Sequence, residues 1–136
     1  MDDTVRRGVG IDLGTTNCAV AHVTAQENGD DAPDPESLEI AQVLRPGEVS
    51  ERSLLPSFMY LAGEHEVPEG SLDLPWASER RFSVGAYAKD QGAKVPARLI
   101  SSAKSWLCHP GVDRRGEILP WKAAEGVAKL SPVAAS

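Results

Sequence analysis

The chain has 136 residues, 41% of them hydrophobic and 25% charged, with a formal net charge of -6. That length can bury a core without metals or disulfides, and the acidic balance argues against nucleic acid as the main partner, because a phosphate backbone demands clustered cations. Cys18 and Cys108 stand far apart without a CxxC pair, and no stretch is apolar enough for a signal peptide or a membrane span, so a cytoplasmic protein is expected.

In chain order, Val9 to Leu13 and Cys18 to Val23 are β-type runs around a tight polar corner, Gly14-Thr15-Thr16-Asn17, and read as a β-hairpin. A polar loop follows, and the six acidic residues between Thr24 and Leu44, with no basic one, read as a solvated edge. Ser37 to Arg45 alternates as a third strand, with a helical turn as the alternative. Leu54 to Leu61 is a further strand that Pro56 pushes to an edge or a bend.

Residues 62 to 81 form a long excursion broken at Pro68, Gly70 and Pro75. Phe82 to Gly85 restarts a short strand, and Ala86 to Gln91 predicts a short helix stopped at Gly92. The strongest helical period lies in ARLISSAKSWL (97 to 107), where Leu99, Ile100, Ala103, Trp106 and Leu107 share one face and Lys104 borders it. After Pro110 the chain reads as irregular. The closing SPVAAS pairs an N-cap serine with a proline at the first helical position, a helix start that suggests a longer parent protein.

Two places could carry chemistry. Turn geometry alone explains the corner at Gly14, yet the same residues would suit phosphate. Glycine lets backbone N–H groups converge on an anion, threonine hydroxyls add donors, and Asp12 at the strand end offers hard oxygens to magnesium or its waters. The other place is Lys104, by pattern a lysine whose stem lies on apolar neighbours, or else a cation aimed at a transferring phosphoryl group. Cys108-His109, His22 and His65 match no metal-ligand spacing, and a packed thiol with a surface imidazole is the simpler reading. Trp76, Trp106 and Trp121 look too scattered for a stacking platform.

Taken together, these residues resemble a known family. VGIDLGTTNCAVA is similar to the first phosphate loop of the DnaK-type heat-shock chaperones, whose ATPase domain belongs to the actin and sugar-kinase superfamily. LLPSFMYL resembles that family's Thr-Pro-Ser strand with Leu55 in place of threonine, and FSVGAYAKDQGAKVP its Val-Gly-x-x-Ala-Lys stretch. LISSAKSWL resembles the helix with the catalytic lysine, and SPVAAS the start of the next long helix. The resemblance implies ATP or ADP with Mg2+ as ligands. Asp12 would stand near the metal, while Gly14, Thr15, Thr16 and Asn17 would line the β- and γ-phosphates. Thr15 would be nearest the γ-phosphate, and Lys104 would position the attacking water. Ser105 and Cys108 depart from the family's arginine and glycine, and the segments 62 to 81 and CHPGVDRRGEILPW are unlike the common chaperone, which points to a divergent bacterial relative.

The implied fold is α/β, an actin-like, ribonuclease-H-like lobe with a mixed sheet. Residues 1–45 would give its first strands and the phosphate hairpin, 46–115 a smaller inserted subdomain ending in the lysine helix, and 116–136 a return segment. The parent would be an ATP-hydrolysing chaperone that takes unfolded peptides, with J-domain and nucleotide-exchange co-chaperones as implied partners. This piece alone is expected to bind ATP weakly or not at all, because preorganised charge needs both walls of a cleft. A carbohydrate kinase of the same superfamily is the enzyme rival, and a non-catalytic regulatory module the rival of another class. Phosphorylation of a sugar by the complete protein would favour the kinase, and peptide-stimulated ATP hydrolysis the chaperone. A truncated sheet would also expose an edge open to self-association.

Overall fold

A computed structural model describes residues 6–25 and 33–136. The hairpin forms as the sequence predicts. Strand β1 (Arg7–Leu13) pairs antiparallel with β2 (Asn17–Thr24), with Asp12 opposite Ala19 and Leu13 opposite Cys18. The predicted strand over residues 37 to 45 is split. β3 (Glu36–Leu38) joins the outer edge of β2, whereas β4 (Ile40–Arg45) pairs with β5 (Glu48–Arg52) in a separate two-stranded sheet. The break at Glu39 lets one alternating run serve two sheets.

Residues 54 to 61 are divided in the same way. β6 (Leu55–Pro56) pairs with the start of β2, and β7 (Phe58–Leu61) is the central strand of a third sheet, flanked by β8 (Phe82–Val84) and β9 (Leu99–Ser101). Ser57, at the junction, belongs to neither strand. Every pairing among the described residues is antiparallel. The chain is thus mixed α/β, mostly strands in small antiparallel sheets with few helices.

Helix α1 (Ala86–Lys94) runs through Gly92 instead of stopping there. Gly92 is buried under Leu99, whose Cδ1 would lie 2.4 Å from a Cβ at that position. Its bareness serves close packing, not helix termination.

The helix expected over residues 97 to 107 does not form as one element. Pro96–Arg98 makes a 3-10 turn, Leu99–Ser101 is β9, and only Ala103–Trp106 is helical (α2). Pairing of Leu99 and Ile100 with Tyr60 and Met59 of β7 overrides a period that suited a helix equally well. The start of α3 (Pro132–Ala135) is as read: Ser131 Oγ accepts from Ala134 N at 3.1 Å, with proline at the first helical position.

The core sits where β4, β7 and α1 meet. Val43, Tyr60, Leu72, Tyr87 and Ala88 are buried there, with Phe58, Val67 and Val95 packed around them. The Tyr60 and Tyr87 rings meet edge to face, centroids 6.2 Å apart. The excursion over 62 to 81 thus contributes Leu72 to the centre of this core. The side chain of Gln42, also buried, ties the layers: its Nε2 donates to Leu54 O at 3.0 Å and its Oε1 accepts from Ala86 N at 2.9 Å. That second bond satisfies an open N–H of the first turn of α1, where Gly85 has φ 101° and no side-chain cap. No described helix is long and apolar enough to cross a membrane.

Candidate functional site

The hairpin corner and Lys104 meet. Lys104 Nζ donates to the carbonyl oxygen of Leu13 at 2.6 Å, directly beside Gly14. The lysine therefore does not lie along an apolar helix face. It is exposed on the short helix α2 and turned back onto the end of β1. The residue that aims it is Ser102, the N-cap of α2, which holds a left-handed conformation (φ 54°, ψ 34°) uncommon for a side-chain-bearing residue.

Gly14 is required by close approach. A Cβ there would stand 2.3 Å from the carbonyl oxygen of Asn17, so the corner closes only over glycine. Thr15 and Thr16 are exposed at its tip, Asn17 is half-buried, and Asp12 is exposed at the end of β1. Among the described residues no group of three or more His, Cys, Asp or Glu side chains is placed to hold a metal ion.

Ser57 is the residue that sequence reasoning passed over. Its Oγ donates to Gly14 O at 2.7 Å, its backbone N–H donates to Thr16 O at 2.9 Å, and Cys18 Sγ lies 3.5 Å from the same hydroxyl. Its signal was the Pro-Ser break in an apolar strand: Pro56 ends β6 against Asn17, so the next residue must lie across the corner. With Lys104 included, the carbonyls of Leu13, Gly14 and Thr16 each meet a donor from elsewhere in the chain. Carbonyl oxygens repel anions, and engaging them with donors leaves the corner's positive character to its N–H groups and the ammonium.

The remaining candidates separate from this corner. His22 Nδ1 lies 3.3 Å from the Glu36 carbonyl, and His65 is exposed on the excursion. Cys108 is exposed rather than packed. The tryptophans are less scattered than their spacing implies, because Trp106 stacks on Trp121 at 5.0 Å and His109 on Trp106 at 5.3 Å. Residues 108 to 121 double back and deliver Trp121 onto α2, which local spacing cannot show. Trp76 stands apart and exposed.

No family model matches the chain, and no curated protein or solved structure matches it.

Proposed function

We propose that this chain forms one wall of a nucleotide-phosphate site in an ATPase of DnaK type, within an actin-like lobe begun by the β1–β2 hairpin. The observation that carries the reading is the Lys104 ammonium on the Leu13 carbonyl, across 91 positions of sequence. A merely solvated lysine has no reason to be folded back beside a glycine-tight corner whose neighbouring carbonyls are also engaged.

In this reading the N–H groups of Gly14 to Asn17 and the hydroxyls of Thr15 and Thr16 hold the β- and γ-phosphates of ATP. Thr15 lies nearest the transferring group. Lys104 neutralises developing charge and orients water, the contributions that dominate phosphoryl transfer. Bound magnesium would supply further charge neutralisation, with Asp12 holding its water shell. The complete protein would then act as a cytoplasmic chaperone that couples ATP to unfolded peptides, with J-domain and exchange-factor partners.

The test uses the whole chain, isotope-labelled, titrated with magnesium pyrophosphate and followed by NMR. Amide shifts confined to Gly14–Asn17 and weakened about tenfold by Lys104→Ala are expected at roughly millimolar ligand, the range for a small anion on a few donors. Shifts that fall elsewhere in the chain, or that are unchanged in the variant, would refute the reading.

A further inference from the structure

We infer that Ser57 is a positioning residue for the phosphate corner, setting the direction of the Thr15 and Asn17 N–H groups without itself donating to the anion. This role rests on the phosphate reading of Gly14–Asn17, and Ser57 is what aims the donors that reading calls for. A peptide unit is planar and trans, so its C=O and N–H point to opposite sides of the chain. Whatever holds a carbonyl therefore also fixes the N–H of the next residue. Ser57 Oγ donates to the Gly14 carbonyl at 2.7 Å, which fixes the Thr15 N–H. Ser57 N donates to the Thr16 carbonyl at 2.9 Å, which fixes the Asn17 N–H. Lys104 does the same for the Gly14 N–H through the Leu13 carbonyl.

The Ser57 hydroxyl is committed to this task. It has one proton to donate, and Gly14 O takes it. The contact with Cys18 Sγ at 3.5 Å must then run the other way, from the thiol S–H to the serine oxygen. Half-buried between that thiol and the carbonyl, the hydroxyl has no proton left for a phosphate oxygen. Its effect on a bound anion passes through the amides of the corner.

Ser57 is itself fixed by the core. Phe58, the next residue, opens β7, pairs with Ser101 of β9 and accepts from Gly85 N at 3.0 Å. Lys104 follows Ser101 by three positions. The two side chains that hold the corner thus leave one rung of one sheet, Ser57 just before Phe58 and Lys104 just after Ser101. The middle strand of that sheet carries Tyr60, fully buried in the core. Donors held by a packed sheet need not reorient when an anion arrives, which is where preorganisation gains its effect.

The test is an NMR titration of the isotope-labelled whole chain with sodium pyrophosphate at constant ionic strength. Ser57→Ala keeps the backbone N–H and deletes only the hydroxyl. It should weaken binding about fivefold, the scale of one neutral hydrogen bond. At saturation it should also reduce the shift of the Thr15 amide and leave that of Asn17, because only the Gly14 carbonyl has lost its donor. Ser57→Thr retains a hydroxyl and should restore both. A merely structural serine would move the two amides together or neither. With wild-type shifts at the corner, an unchanged affinity in Ser57→Ala overturns the inference alone. So does an equal loss at Thr15 and Asn17, or a threonine variant no tighter than the alanine one. Wild-type shifts elsewhere in the chain overturn the phosphate reading and this role with it. Should Ser57→Ala unfold the chain, Ser57→Cys, a weaker donor of similar shape, takes its place. A partial loss of affinity is then expected, and an unchanged affinity overturns the inference.

Discussion

Lys104 Nζ and the carbonyl oxygen of Leu13, 91 positions apart in sequence, are joined by a 2.6 Å hydrogen bond. The bond fastens a four-residue helix to the end of β1 and sets the ammonium beside Gly14. Removing the charge should cost anion binding and little else, because the lysine is exposed and solvent replaces its bond. Lys104→Met should lower pyrophosphate affinity by about tenfold, the scale of a charge-assisted hydrogen bond. Lys104→Arg should retain part of it, and the melting temperature should move by no more than about 3 °C in either variant. Calorimetric titration beside thermal denaturation separates the two effects.

Gly14→Ala should behave differently. Its added methyl meets the Asn17 carbonyl at 2.3 Å, and backbone must move to admit it. A loss of about 1–3 kcal/mol in stability is expected for such overpacking. Anion binding should fall with it, since the same movement reorients the corner's N–H groups. Urea denaturation giving an unchanged midpoint would show that the corner opens freely.

How legible all this was depended on whether a signal was local. The hairpin was legible because turn chemistry at Gly14 and alternation on both sides agree. The N-cap at Ser131 was legible for the same reason. Residues 97 to 107 misled because Leu99 and Ile100 satisfy a helical period and also a strand edge, and only the presence of β7 decides between them. Gly92 misled because a glycine in a helix is read as a stop, when here it makes room for Leu99. Ser57 stayed hidden because its importance lies wholly in partners more than thirty positions away.

Gln42 is the polar side chain on which the position of α1 depends. It is 1% exposed, and both ends of its amide are bonded. Gln42→Leu keeps the approximate volume but leaves the Leu54 carbonyl and the Ala86 N–H without these partners. A loss of about 2–4 kcal/mol is expected, one to two unsatisfied buried groups. Gln42→Glu should recover part of that below the carboxylate range, where the protonated acid again donates. Chemical denaturation at two pH values measures both.

The Tyr60–Glu66 pair gives the fold a pH signature at each end. Partial burial alone would raise the Glu66 carboxyl. Hydrogen bonds from Tyr60 Oη (2.6 Å), Gly63 N (2.7 Å) and Gln91 Nε2, with the Arg98 charge, outweigh it and hold the group below its ordinary value of 4.5. A depressed carboxyl contributes stability that is present above 4.5 and is lost as pH falls through the lowered value. Tyr60 is shifted the opposite way: burial first, then the bond to Glu66, pushes its hydroxyl from 10.0 up to about 12. That stability is full below pH 10.0 and is lost as pH rises toward about 12. Tyr60→Phe should flatten both limbs of a stability–pH curve. The alkaline limb should persist in part, because burial also raises Tyr87.

Ser83 supplies the opposite expectation, a substitution that should help. Its hydroxyl is fully buried on β8, opposite Tyr60, and its oxygen has no hydrogen-bond partner among the described residues. Burying an unpaired hydroxyl costs about 1–3 kcal/mol. Ser83→Ala removes the polar atom and leaves a void of only that atom's size, so part of the cost should be recovered, giving a gain of about 0.5–1.5 kcal/mol. Ser83→Val tests the other limit. The space between β7 and α1 is closed by Tyr60 and Tyr87, and the added methyls should clash and cancel the gain. Urea midpoints ranked alanine, then serine, then valine would support this account. A less stable alanine variant would mean that the hydroxyl has a partner, such as a buried water, and that its burial carries no cost to recover.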